Sequence, residues 1–190
     1  MTTLSAWTAR NLMQRLYIAT EKFDPSHGTG WDKYMEWSGL TQMTEVVSLD
    51  RMLCPTALGE IKDSYWPYIV NEDFMLDFFV DLGFLRSQLT DTSNLNILGV
   101  IRSPSADLRS FGWDEFTFMG YDLLDKNVDI SALTNCGGFP DVFANEELSC
   151  VGLIDDFDRA VEIQELLHKT HPEERHADCD LWAVFRRQDN

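Results

Sequence analysis

Basic side chains are scarce in this sequence: 15 Lys and Arg stand against 32 Asp and Glu in 190 residues, for a net charge of −17. Such a field repels nucleic acid and anionic membranes and draws basic partners, although acidity serves solubility before it serves specificity. Long apolar runs are missing too. No stretch approaches the ~18 apolar residues of a membrane span, and residues 1–19, interrupted by Arg10 and Arg15, lack the apolar core of a signal peptide. The expectation is a soluble, cytoplasmic protein of bacterial type. Cysteine is sparse and scattered (Cys54, Cys136, Cys150, Cys179) in a chain long enough to bury a core without staples, so free thiols are expected. No Ser/Gly/Pro tract marks a linker and no repeat marks an array, which leaves a single domain over 1–190. P-loop, dinucleotide fingerprint, Ser elbow and HExxH are all absent, as is a basic stripe interleaved with aromatics.

What is present is unevenly placed. Through Lys62 the chain holds seven acids and six bases; the remaining 128 residues hold 25 acids and nine bases, a net −16. Residues 4–20 read as a helix docked on the domain, with Leu4, Trp7, Leu12, Leu16 and Tyr17 as its apolar stripe. Thr41 to Leu53 fits a helix by spacing, with a short strand at 45–49 as the alternative, and Cys54-Pro55 ends it. Asn71 to Leu89 carries Phe74, Phe78, Leu82 and Leu85 at helical spacing, with Asp73, Asp77 and Asp81 in an i, i+4, i+8 row beside them. Gly83 interrupts that run.

Leu95 to Ile101 is short, branched and bounded by turn residues, as a buried strand is. Glu115 to Leu124 opens by alternation, and the short connection between the two suggests that they pair antiparallel. Asp155 to Lys169 is the strongest helix signal: three aspartates crowd its first turn, His168 and Lys169 its last, and Pro172 follows. Asp180 to Arg187 is apolar on both faces, which predicts an internal strand. The sum is an α+β domain, a mainly antiparallel sheet with helices packed on it.

Three sets of residues are candidate sites. Cys136, in Asn135-Cys136-Gly137-Gly138, could be a nucleophile whose thiolate and oxyanion are stabilised by converging backbone N–H groups, if a base stands beside it; a Gly-Gly corner with a small buried thiol is the alternative. His168, His171, His176 and Cys179 are acceptable zinc ligands in a spacing that could close a structural site, or are simply a solvated connection. Asp73, Asp77 and Asp81, with Trp31, Trp37 and Trp66, could form a contact surface of acid row and aromatic anchors, against the simpler choice of solvated face and core. Carboxylates elsewhere are too abundant to single out a catalytic pair.

Without a catalytic motif, the expected function is that of an acidic binding protein rather than an enzyme. It would occupy a basic surface of a partner protein, such as a toxin or a nucleic-acid enzyme, as an immunity protein or a nucleic-acid mimic does. The alternative is a small cysteine-dependent enzyme or small-ligand binder centred on Cys136. Neither expectation requires a cofactor, with zinc the one candidate.

Overall fold

A computed structural model describes residues 14–23, 35, 38–70, 78–126, 130–134 and 139–188. Its centre is a four-stranded antiparallel sheet of β1 (Leu16–Glu21), β2 (Leu95–Arg102), β3 (Phe116–Asp125) and β4 (Cys179–Arg187), in the order β1-β2-β4-β3. Two α-helices whose bounds lie within the described residues, α1 (Leu82–Gln88) and α2 (Phe157–Thr170), accompany it, Met35 and Ser38 are helical as well, and 3₁₀ turns stand at Asp63–Tyr68, Asn145–Glu147 and Arg175–Ala177. This is the α+β architecture with an antiparallel sheet that the sequence pattern predicts.

β4 is internal because both of its faces are apolar. Leu181, Ala183 and Phe185 enter one core; Trp182 and Val184 enter the other. It pairs with β2 through Val100↔Val184 and with β3 through Tyr121↔Ala183. This corrects the expectation that β2 and β3 are neighbours: the last strand of the chain inserts between them, so they run parallel, two positions apart. Their connection crosses β4, where Phe111 and Trp113 pack against Phe185. The Tyr121 hydroxyl anchors this crossover, donating to Asp107 Oδ1 (2.9 Å) and accepting from the Leu108 N–H (2.7 Å).

The expected helix over 4–20 is also corrected where it is described. Leu16–Glu21 alternates, Leu16 and Ile18 facing one core while Tyr17 and Ala19 face the other, and two-sided burial favours a strand. Residues 1–13 lie outside the described residues. Thr41 to Leu53 is not helical either; it runs irregularly beside residues 150–151, with the N–H groups of Thr44 and Val47 donating to the carbonyls of Cys150 (2.8 Å) and Val151 (3.0 Å). In the run from Asn71 to Leu89, residues 71–77 lie outside the described residues, 78–81 are not helical, and the helix spans Leu82–Gln88. Phe79 is extended, bonded to Tyr17 in both directions at 2.8 Å, and so covers the outer edge of β1. Ile154 does the same for Tyr121 on β3, which blunts the second edge.

The two faces of the sheet are covered differently. On one, α2 buries Ala160, Ile163 and Leu167 against Leu123, Leu181 and their neighbours. Asp156 caps it, accepting from the Arg159 N–H at 2.9 Å. On the other, irregular chain takes the helix's place: Val47, Leu49, Phe78, Val151 and Leu153 pack on Leu98, Val100 and Trp182, with Phe78 stacked on the indole at 4.9 Å. Close approach on this side demands glycine at Gly120, where φ is +140° and a Cβ would lie 2.7 Å from Leu153 Cβ. The strand bulges at the same place, between Phe118 and Gly120.

Candidate functional site

Of the residues singled out by sequence, Cys136, Asp73, Asp77, Trp31 and Trp37 lie outside the described residues. Asp81 does not extend an acidic helix row. It is the N-cap of α1, its carboxylate accepting from the Phe84 N–H at 2.8 Å. Trp66, in the first 3₁₀ turn, is 52% exposed, while its neighbour Tyr68 stacks on Phe84 at 3.8 Å. The other three thiols, Cys54, Cys150 and Cys179, are free, and burial pushes Cys54 and Cys179 up to about 12. Neither buried thiol is a ready nucleophile at neutral pH.

The four candidate zinc ligands lie on the end of α2, the turn after it and the start of β4; the ring nitrogens of His168 and His171 turn to other partners, while His176 Nδ1 is buried without a hydrogen-bond partner among the described residues. His168 Nε2 lies 3.0 Å from the Cys179 carbonyl oxygen and 3.3 Å from its nitrogen, so it engages backbone, not the thiol. His171 Nε2 meets Asp141 Oδ2 at 2.8 Å, with the ring against Phe139. His176 is half-buried in the third 3₁₀ turn. Among the described residues no group of three or more His, Cys, Asp or Glu side chains is arranged to hold a metal ion. Together these contacts fasten the C-terminal end of α2 to β4 and to the turn at 139–142.

Two features emerge that sequence inspection did not single out. The first is a buried carboxylate network on the loop-covered face. Asp122, on β3 and 0% exposed, accepts from the Leu49 N–H (3.0 Å), the Ser48 hydroxyl (2.8 Å), the Leu123 N–H (2.9 Å) and the Ser131 hydroxyl. Asp50, 2% exposed, accepts from the N–H groups of Met52 (2.8 Å), Leu53 (3.3 Å) and Ser131 (3.1 Å). Burial is the main reason that both carboxyls are held above the usual range, Asp50 at about 6, and Asp122 adds to the rise at Asp50 by charge repulsion. Seven donors fixed on two acids clamp the 48–53 loop and the 131–133 turn to β3. A paired-carboxylate site of this kind has acid–base potential, but at this burial its described role is to hold chain together.

The second is a groove of about 400 Å³ at the end of the sheet where β1 and β4 finish and β2 and β3 begin. Lys22, Asn96, Thr117, Met119, Arg186 and Glu45 are among its lining residues, with Arg187 and Gln188 at the rim of β4. In a chain this acidic, a lining with three cations and one carboxylate stands out. Arg186 Nη1 donates to Glu45 Oε1 at 2.8 Å, Arg187 Nε to Glu115 Oε2 at 3.0 Å, and Gln188 Nε2 to Thr117 Oγ1 at 2.6 Å.

These features define an α+β protein with a helix-covered acidic side and a loop-covered side that holds both the buried carboxylates and the groove. Compared with protein-family models, curated proteins and solved structures, the chain finds no match.

Proposed function

We propose that the protein is a non-enzymatic binding protein that uses its acidic helix side to occupy a basic surface of a partner protein, in the manner of an immunity protein or a nucleic-acid mimic. The observation that supports this reading is the charge around α2. Residues 139–178 hold eleven acidic side chains and three basic ones, and all eleven acids are exposed. Two of the three bases are already engaged. Arg159 is gripped by Glu147 and Glu162, and Arg175 by Asp125 at 2.8 Å. The acids beyond those pairs project a negative field that would accelerate encounter with a cationic surface and fall with salt.

The test is capture of a partner from the source cell, followed by binding titrations at rising salt with wild type and with a Glu162→Lys, Glu165→Lys, Glu173→Lys, Glu174→Lys variant. A partner with a basic surface, an affinity that drops steeply with salt and loss of binding in the variant are expected. Capture of acidic or neutral partners alone, or binding that ignores both salt and charge reversal, would sink the proposal.

A further inference from the structure

The groove at the end of the sheet is chemically unlike the acidic side, and its floor contains an unmet demand. Asn96 is 2% exposed, lines the groove, and its Oδ1 is buried without a hydrogen-bond partner among the described residues. Thr20 stands opposite it in the β1–β2 register, equally buried, and its Oγ1 also lacks a partner among the described residues. An orphaned polar atom at such depth is disfavoured unless something outside the chain completes it. An acceptor at the floor asks for an N–H or O–H.

The walls ask for an anion. Lys22 has no ion pair among the described residues, and Arg186 makes one hydrogen bond there, to Glu45, out of the five N–H groups of a guanidinium. Glu45 is the sole carboxylate in the lining, so the cations outnumber it even after its pair with Arg186 is counted. Alternation along the strands puts Asn96 and Arg186 on the same sheet face as Leu98 and Val184, so the groove opens on the loop-covered side and not on the side of α2. Leu95, Ile97 and Met119 supply apolar wall, and the volume falls within the range of small-molecule sites.

We infer that this groove binds a small oxyanion, a carboxylate or a phosphate ester, that also carries a hydroxyl or amino donor: the anion meets Lys22 and Arg186, and the donor meets Asn96 Oδ1. This site is independent of the acidic side and of any partner bound there.

Isothermal titration of the full chain at low ionic strength tests it, with malate and succinate as a pair differing by one hydroxyl, glycerol 3-phosphate and inorganic phosphate as the corresponding phosphate probes, and glycerol as the uncharged control. Saturable binding of malate or of glycerol 3-phosphate is expected, with its succinate or phosphate counterpart weaker by roughly tenfold, the worth of one hydrogen bond, and no binding of glycerol. The arm that binds distinguishes carboxylate from phosphate. Lys22→Met should weaken the bound anion roughly tenfold or more by removing a charge-assisted contact. Asn96→Leu should erase the preference for the hydroxylated member while leaving the thermal midpoint unchanged or raised, because an apolar side chain of similar shape removes the orphan. That last pair of readouts separates a ligand contact from a merely structural residue. Failure of every probe to bind, binding of glycerol alongside the anions, or anion binding that neither substitution alters overturns the inference.

Discussion

The two faces of the sheet use the same residue type in opposite ways. Around α2, carboxylates stand in water even where they pair: Glu162 reaches the half-buried Arg159 at 2.7 Å with its own side chain 60% exposed. Pairs like this contribute little to stability, ~0.2–1 kcal/mol at most. On the loop-covered face, Asp50 and Asp122 sit in the core among seven donors, and each lost donor or acceptor there leaves a group that water cannot reach. The comparison explains why the fold tolerates so much acid. Most of it is solvated and energetically quiet, while of the three buried carboxylates among the described residues, Asp50, Asp122 and Asp125, the first two supply acceptors that irregular chain cannot supply by secondary structure. A helix satisfies its own backbone; the 46–53 loop has to borrow acceptors from side chains, and these acids provide them.

The largest break in this contrast should come at Asp122. Asp122→Ala strips the acceptor from the N–H groups of Leu49 and Leu123 and from two hydroxyls, and a loss of about 3–5 kcal/mol is expected in chemical denaturation. A loss below about 1 kcal/mol, the size of an exposed pair, would erase the distinction between the two faces.

Asp50 sharpens the same contrast through pH. Its folded pKa, about 6, lies above the ordinary value of 3.8, so between those values the folded chain holds a proton that the unfolded chain has released. The contribution of this group to stability is therefore greatest below pH 3.8, falls as pH rises toward 6 and is flat above, a loss of about 3 kcal/mol in total. Asp50→Asn cannot ionise. Relative to wild type it should gain stability as pH rises through that window, on top of any constant offset from its altered hydrogen bonding. Urea midpoints for both proteins from pH 3.5 to 7.5 measure the difference, and a difference that does not move with pH would show that Asp50 is not held protonated in the fold.

Gly120 tests whether the loop side is as tightly fitted as its contacts imply. Alanine there meets Leu153 Cβ at 2.7 Å and the Ile154 carbonyl oxygen at 3.1 Å, in a backbone conformation that side chains avoid. Gly120→Ala should cost about 1–3 kcal/mol by overpacking and strain, read as a lowered thermal midpoint. An unchanged midpoint would mean that the 151–154 segment gives way freely.

How much of this was visible in the sequence follows from the range of each signal. β2, β4 and α2 were legible because period, caps and two-sided apolarity are local properties of Leu95–Arg102, Cys179–Arg187 and Phe157–Thr170. β1 reads as helix by sequence because Leu12 and Leu16 share helical spacing, while what makes it a strand, burial on both sides, depends on β2 and Phe79 arriving from far along the chain. Strand order was hidden for a similar reason: nothing near Leu95 or Phe116 announces that residues 179–187 will come between them. Asp122 did leave a trace, a lone acid inside Gly-Tyr-Asp-Leu-Leu, and a charge in an otherwise apolar strand signals an internal partner. Its partners at Ser48 and Leu49, 74 and 73 residues away, were not deducible. The groove is built from the ends of four strands and has no sequence signature.

The smallest expected effects belong to the helix side, where single charge reversals should separate surface charge from fold. Glu162→Lys removes the contact to Arg159 and sets a like charge three residues away, which disfavours the helix by a few tenths of a kcal/mol. Glu165, exposed on the same helix, makes no ion pair among the described residues, so Glu165→Lys should lie within about 0.5 kcal/mol of wild type in either direction. Thermal midpoints at low and high salt resolve the two: the Glu162 effect shrinks as salt screens it, and the Glu165 value stays near zero throughout. Losses of about 2 kcal/mol or more at either position would place the acidic side among the structural elements of the fold and remove it as a surface free to be spent on binding.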